Sequence, residues 1–494
     1  MSTYTRKAVS GAGISFVMGL LAMAVAYATR VVLARYLGPT DYGLFYAVLT
    51  FVLFFLFFRD LGLGHSLVKY IAEFKVDNRY NEIKTAILSV LLFQLCSSFI
   101  LIVFFIGFAE TVAEQYFQSE KAPLMLYILV VYIIFSVFFI LLKSIFRGFQ
   151  KMFLFSSVEF VKNLLVLLFV FFFFKLGYGL LSPVLAFSVA SILLFLLYLF
   201  LALRLSQFRK SRIVDFSHIS KKVILFGIPL FAVSFAEKII SSIDTLVLTY
   251  FRPLEEVGIY NVVLPSSLIL LYFGTSVATT AFPLVSELWK KNDVRRLTEG
   301  LRLLHKYSFL AVVPVIFTIF SFSEFFITLF FGAEYNSGAR ALQILVVGIL
   351  FFIVATINTH FISAIGKPKV VAKMILVAAV LNIIFDLLLV PFLGMDGAAI
   401  ATAMSYTYVF ISSTIVLSKI LATKYPFALW MKQLIAAVLF IVVVSGIKEL
   451  LSLSIWLELV ASVLAAIVIY IIVAGLFGLI DMKEMKHYLS LMRK

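Results

Sequence analysis

Runs of about twenty apolar residues, separated by short polar stretches, recur from one end of this chain to the other. Each run is long enough to cross the hydrocarbon core of a bilayer as a helix. Backbone amides in lipid must be paired within the chain, so such runs are read as helices rather than loops. The pattern predicts spans at about 9–33, 41–64, 85–108, 123–145, 153–175, 180–203 and 223–250. It continues at 257–285, 304–329, 338–362, 370–391, 397–420, 428–447 and 454–478. The short alternating strands of a membrane β-barrel are missing from the pattern. The expected fold is an all-α polytopic membrane protein of about fourteen transmembrane helices.

A motif repeats within this series. YATRVVLARYLGPTDYGLFY, at 27–46, is echoed by IDTLVLTYFRPLEEVGIYN at 243–261. Pro39 and Pro253 lie 214 residues apart, as do Arg30 and Asp244; Gly43 and Gly258 lie 215 apart. FRGFQK at 146–151 resembles IGKPK at 365–369, pairing Gly148 with Gly366, and LGYG at 176–179 resembles LGMDG at 393–397. Helices 1–6 therefore match helices 7–12. An even repeat gives both halves the same orientation, about an axis along the membrane normal. The expected organisation is a six-helix lobe at 1–203, a basic linker at 204–222, and a second lobe at 223–420. Appended helices follow at 428–478, then a basic tail at 479–494.

Composition and charge refine this. Charged residues are 13% of the chain, and hydrophobic residues 63%, against about 25% charged in soluble domains. The net charge of +16 does not indicate nucleic acid. Lys and Arg concentrate in the connections on one side, including Lys69, Lys75, Arg79, Lys84, Arg147, Lys222, Lys290, Arg295 and Lys369. The positive-inside rule makes that side and both termini cytoplasmic, in the cell membrane. Arg6-Lys7, an apolar stretch and Ala24-Val25-Ala26 also have the form of a signal peptide. Cleavage there would remove most of the first helix and break the repeat, so the first span is read as retained. The single Cys96 forms no disulfide framework.

Ionisable side chains at membrane depth are costly, and each is a functional candidate. Arg30 lies in the outer half of the first span, where a guanidinium suits a phosphate or snorkels to the surface; Arg35 is nearer the interface. Arg59 and Asp60 end the second span before a Gly-rich break. Being adjacent, they need different partners. Glu159 is spaced to reach Lys162 and Asn163. Glu237, Ser241 and Asp244 share one face of helix 7, beside Lys238; pairing inside the bundle competes with a substrate role for all of them. Asn358, His360 and Asp386 are single embedded groups. Pro229, Pro265, Pro283 and Pro314 fall within spans and favour kinks.

No phosphate-binding G-x-x-x-x-G-K-[ST] loop, H-E-x-x-H or clustered His/Cys ligand set occurs, and no cofactor or metal is expected. No exterior loop is large enough for a catalytic domain, so the chain is not expected to be an enzyme such as a polysaccharide polymerase or ligase.

LARYLGPTDYGLFY, DLGLGHSLVKYIAE, FGIPLF…IDTLVL…VGIYN, FGAEYNSGARALQIL, GKPK and FLGMDGAAIATA occur in that order across nearly the whole chain. Together they resemble the polysaccharide transport branch of the multidrug/oligosaccharidyl-lipid/polysaccharide flippase superfamily. The resemblance implies two lobes around a cavity that opens alternately to either side. It implies a lipid-linked oligosaccharide as substrate, flipped to the outer leaflet, with membrane lipid, a coupling ion and glycan-assembly enzymes as further partners. A drug/cation antiporter of the same superfamily is the alternative, with Glu237 and Asp244 as its cation site.

Overall fold

The computed structural model describes residues 3–203, 211–422, 427–450 and 455–479. The first half holds α1 (Thr3–Asp60), α2 (Leu63–Val76), α3 (Tyr80–Gly107), α4 (Ala109–Val112), α5 (Ala122–Gly148), α6 (Met152–Lys175) and α7 (Leu181–Leu203). Next come α8 (Phe216–Phe251), α9 (Leu254–Leu268), α10 (Leu271–Lys290), α11 (Val294–Ser321) and α12 (Ser323–Phe330). The series closes with α13 (Ala339–Ala364), α14 (Pro368–Leu421), α15 (Phe427–Leu450) and α16 (Ile455–Leu476). The basic tail from residue 480 and residues 204–210 of the linker lie outside the described residues.

Among the described residues, twelve helical segments are long and apolar enough to cross a membrane. Two of these, α1 and α14, are pairs broken at a glycine: Gly38 (φ 71°, ψ 170°) and Gly394 (φ 57°, ψ −134°). A straight α14 would measure about 80 Å, far more than the ~30 Å core. Each pair is therefore long enough to cross twice, and counted so the segments match the fourteen spans that the apolar pattern predicts. Glycine supplies the left-handed φ at both breaks without a Cβ penalty. A Cβ on Gly397 would lie 2.7 Å from the Leu389 carbonyl oxygen, so the α14 turn closes tightly on itself.

The internal repeat is present in the backbone. Left-handed residues end helices at Asn78 and Gln150 in the first half, and at Asn292 and Gly366 in the second. Each turn closes with the same capping bond pattern, such as Arg79 N–H to the Phe74 carbonyl (2.8 Å) and Asp293 N–H to that of Leu288 (3.0 Å). Asn78 and Asn292 lie 214 residues apart. The structure corrects one pairing: Gln150, not Gly148, is the counterpart of Gly366. Gly148 is the last residue of α5, and a Cβ there would meet Ile71 at 2.8 Å. It serves close packing, not a turn.

Three further differences have physical causes. α2 falls in a stretch read as a loop; it is amphipathic and too short to span, burying Leu63, Leu67, Tyr70, Ile71 and Phe74 along one side. α8 and α11 start at Phe216 and Val294, earlier than apolarity predicts, because their first turns are polar helix. The span predicted at 257–285 is divided between α9 and α10, a few residues after Pro265, which lacks the N–H for a helical bond.

The chain divides into two compact units, Met1–Val262 and Val263–Lys494. In the first, α1 packs on α6, α5 on α6 and α7, and α8 on α1, α2 and α3. The described part of the linker is pinned to α3: Lys84 Nζ donates to the Ser211 carbonyl (2.7 Å), and Val214 N–H to Thr85 Oγ1 (3.0 Å). In the second, α13 packs between α14, α10 and α11, α11 meets α15, and α15 meets α16. Small residues permit this approach: a Cβ on Gly348 would lie 2.8 Å from Ala403 Cα. Apolar burial gives little net drive between helices in lipid, so such packing and interhelical bonds carry association.

Candidate functional site

The two echoed stretches meet in space within the first unit. A Cβ on Gly43 would lie 1.8 Å from the Leu254 carbonyl oxygen, and one on Gly258 would lie 2.0 Å from that of Pro39. The helices that begin after Pro39 and Pro253 thus cross backbone to backbone. Tyr42–Leu49 and Val257–Val262 are buried without interruption around the crossing.

Arg30 and Asp244 flank it. Arg30 is half-buried; its Nη1 donates to the Asn261 carbonyl (3.0 Å), and its guanidinium carbon lies 4.3 Å from the centre of the Tyr46 ring. Asp244 is 1% exposed, and its Oδ2 accepts from the Tyr260 hydroxyl. Tyr46 follows Arg30 by sixteen positions, and Tyr260 follows Asp244 by sixteen. Each repeat therefore holds its own charge with an aromatic residue from its own second helix. Thr245 and Asn261 exchange side-chain bonds of 3.4 and 3.2 Å, and Tyr42 Oη reaches the Asn261 carbonyl at 3.5 Å. The opposite charges at matching positions are thus engaged by neighbouring residues of one helix, Tyr260 and Asn261.

Arg59 and Asp60 separate as their adjacency requires. Buried Arg59 turns to α5, where Nη1 donates to the Ile133 carbonyl (3.2 Å) and to Ser136 Oγ (2.8 Å). Asp60 turns to the break at Leu61 (φ 41°) and Gly62 (φ 74°). Its Oδ1 accepts from the Gly64 amide (3.1 Å) and from Gln94 Nε2 (2.7 Å). On α6, Glu159 bridges two lysines: Lys143 Nζ and Lys162 Nζ each lie 2.6 Å from one of its oxygens. Asn163 Nδ2 donates to the Ala22 carbonyl (2.8 Å) rather than to Glu159.

The stripe on α8 divides. Glu237 and Ser241 are exposed, Lys238 is half-buried, and Asp244 is buried. Glu237 and Lys238 have no salt-bridge partner among the described residues. Ser241 Oγ bonds the Lys238 carbonyl of its own helix at 3.0 Å. Arg35 is exposed. In the second unit, buried Asn358 accepts from His305 Nε2 (2.8 Å) and donates to Ser413 and Thr414 at 3.3 and 3.2 Å. The imidazole of His360 bonds the Thr356 carbonyl of its own helix (2.8 Å). Asn382 Nδ2 lies 3.3 Å from Asp386 Oδ2.

The sequence candidates therefore fall into separate clusters. Arg30 and Asp244 share one. Glu159 and Lys162 share another, which Lys143 completes. Tyr42, Tyr46, Tyr260, Asn261, Lys143, Gln94 and His305 escaped the sequence search. The first four stand inside the repeated stretches, where Tyr46 and Tyr260 lie at the same sixteen-residue offset from Arg30 and Asp244.

Comparison with known proteins bears on the family and the fold. Residues 8–289 match the polysaccharide biosynthesis protein family model, and residues 229–388 match that of the MatE family. A membrane protein of Methanocaldococcus jannaschii is 29% identical over 99% of both chains. A probable low-salt glycan biosynthesis flippase of Haloferax volcanii is 25% identical over 51% of this chain and 53% of its own. Among solved structures, the lipid II flippase MurJ in an inward closed conformation superposes with a TM-score of 0.77 at 18% identity, covering 93% of this chain and 98% of that one. The all-helical polytopic fold is shared with it. The match to the polysaccharide biosynthesis model covers more than half of the chain. This multi-pass membrane protein thus belongs to the polysaccharide branch of the multidrug/oligosaccharidyl-lipid/polysaccharide flippase superfamily, a superfamily of transporters.

Proposed function

We propose that the chain flips a lipid-linked oligosaccharide from the cytoplasmic to the outer leaflet of the cell membrane. Access alternates between a lobe at 1–203 and a lobe at 223–420, with helices 13 and 14 appended. The bias of Lys and Arg toward one set of connections supports cytoplasmic termini, with the Pro39 and Pro253 turns on the outer side. Membrane lipid borders the substrate's tail. Glycan-assembly enzymes supply the substrate, and a coupling ion or the membrane potential, at about 2.3 kcal/mol per charge per 100 mV, supplies energy.

Arg30 carries this reading. A phosphate or diphosphate link must cross a medium in which its hydration is lost. Arg30 is a fixed cation at membrane depth whose partners, a carbonyl and an aromatic ring, leave its charge unneutralised. The Lys143–Glu159–Lys162 group, two cations on one carboxylate, adds to the positive bias. A probable flippase of Haloferax volcanii, 29% identical over 47% of this chain, supports a flippase role. The test is flipping of a defined lipid-linked oligosaccharide in vesicles. Arg30→Ala should slow it about tenfold or more, the loss of one charge-assisted bond, with Arg30→Lys intermediate. Undiminished flipping by Arg30→Ala at normal protein levels refutes the role.

Glu237 favours a second reading. It is exposed and without a salt-bridge partner among the described residues, as a cation antiporter would require. A probable multidrug resistance protein of Bacillus anthracis is 27% identical over 43% of this chain. Cation efflux abolished by Glu237→Gln would establish it.

A further inference from the structure

We propose that the interior of the first unit binds a small inorganic anion of the size of chloride, held by Arg59, Tyr132 and Lys162. The inference concerns this interior group and holds for whichever substrate is carried.

Donors outnumber acceptors there. Arg59 is 3% exposed. Its Nη1 donates to two neutral acceptors, the Ile133 carbonyl at 3.2 Å and Ser136 Oγ at 2.8 Å. The Ser136 hydroxyl directs its own proton to the Ile133 carbonyl at 2.9 Å. Arg59 Nε is enclosed and has no hydrogen-bond acceptor, and Arg59 forms no salt bridge among the described residues. One turn back along α5, Tyr132 is 6% exposed, and its hydroxyl makes no hydrogen bond among the described residues. Buried donors are paired as a rule, so two of them in one place mark a position for an acceptor.

Charge points the same way. Tyr132 has Arg59, Lys162 and Glu159 as its charged neighbours. Glu159 is shared between Lys143 and Lys162, each at 2.6 Å. Three cations thus face one carboxylate. Asp60 follows Arg59 in the chain but turns to Gly64 and Gln94; counted in, it still leaves three positive charges against two negative. Ser136 is the fourteenth of 27 residues in α5, so the group lies at membrane depth, where unbalanced charge is costly and draws a counter-charge. Arginine and lysine carry donors only, and the Tyr132 hydroxyl has a proton to give. Such a set suits an anion and forms charge-assisted bonds with it; a cation would need acceptors. Arg59 and Tyr132 are almost sealed where α1, α5 and α6 pack together, which favours an ion of one or a few atoms over a lipid headgroup.

Thermal unfolding of the purified protein tests this, with chloride replacing gluconate at fixed ionic strength so that screening is constant. Raising chloride from 0 to 100 mM should raise the melting temperature by about 3–6 °C for half-saturation at about 10 mM. Tyr132→Phe keeps the ring contacts with Phe139 and Phe187 and removes only the hydroxyl; it should lose at least half of the shift, and Arg59→Gln should lose all of it. Glu159→Gln frees both lysines and should lower the chloride concentration that gives half the effect. Arg79→Gln, on an exposed residue paired with Glu82, should leave the chloride response unchanged. Bromide located by anomalous scattering in the crystallised protein should lie beside Arg59 Nε and Tyr132 Oη, a readout that needs no variant to fold. Gluconate as effective as chloride, a full shift in Tyr132→Phe, or bromide found only elsewhere would each overturn the proposal.

Discussion

Asp60 distinguishes a structural carboxylate from one that meets substrate. Its Oδ1 accepts from the Gly64 amide at 3.1 Å and from Gln94 Nε2 at 2.7 Å. Gln94 is 1% exposed. Asp60→Ala removes a cap from the start of α2, about 0.5–2 kcal/mol. It also strands the buried Gln94 amide, about 1–3 kcal/mol. Together these come to about 1.5–5 kcal/mol. At roughly 2–4 °C per kcal/mol for a unit of this size, the melting temperature should fall by about 3–20 °C. Asp60→Asn keeps an acceptor oxygen for both donors and should cost under about 1 kcal/mol. Thermal unfolding of the detergent-solubilised protein reads both, with flipping measured on the same preparations. Expected are a large drop for Ala, a small one for Asn, and transport retained by Asn. If Asn unfolds like the unaltered protein yet abolishes transport, the carboxylate's charge acts on substrate or ion, and the structural assignment is refuted.

Gly148→Ala sets a Cβ 2.8 Å from Ile71 Cβ and should destabilise by about 1–3 kcal/mol through overpacking, whereas Gly107→Ala should be silent in the same melt. Glu159→Gln leaves Lys143 and Lys162 facing each other without the shared carboxylate. It should lower stability at low salt, and added salt should recover part of the loss. Because Glu159 keeps 39% of its side chain exposed, a double-mutant cycle with Lys143→Gln should give a coupling of only about 1 kcal/mol. A coupling indistinguishable from zero would show the pair to be incidental.

Much of the fold was legible because lipid narrows the choices: an apolar run of span length must be a helix. The Gly38-Pro39 and Gly394 breaks were legible as well, since glycine and proline act locally. Amphipathic α2 was not, because its apolar side packs against α5 and α8, partners that only the fold supplies. The repeat was detectable from prolines and glycines. Its register near Gln150 was not, because a left-handed turn accepts Gln as well as Gly there, and the sequence match followed the nearby Gly148. Within the site, the charges were identifiable by their cost in a membrane. Their neutral partners were not, since tyrosine and asparagine carry no such penalty and gain meaning only from position. The contact of Gly43 with Gly258 joins residues 215 apart, and local patterning holds no sign of it.

Purified protein in sealed vesicles, offered a lipid-linked oligosaccharide and a fluorescent lipophilic cation in parallel, tests the central claim most directly. The account predicts that the oligosaccharide appears on the far leaflet and that Arg30→Ala slows its passage, while the cation is not moved. Cation transport that depends on Glu237, with the oligosaccharide remaining in its original leaflet, would contradict it.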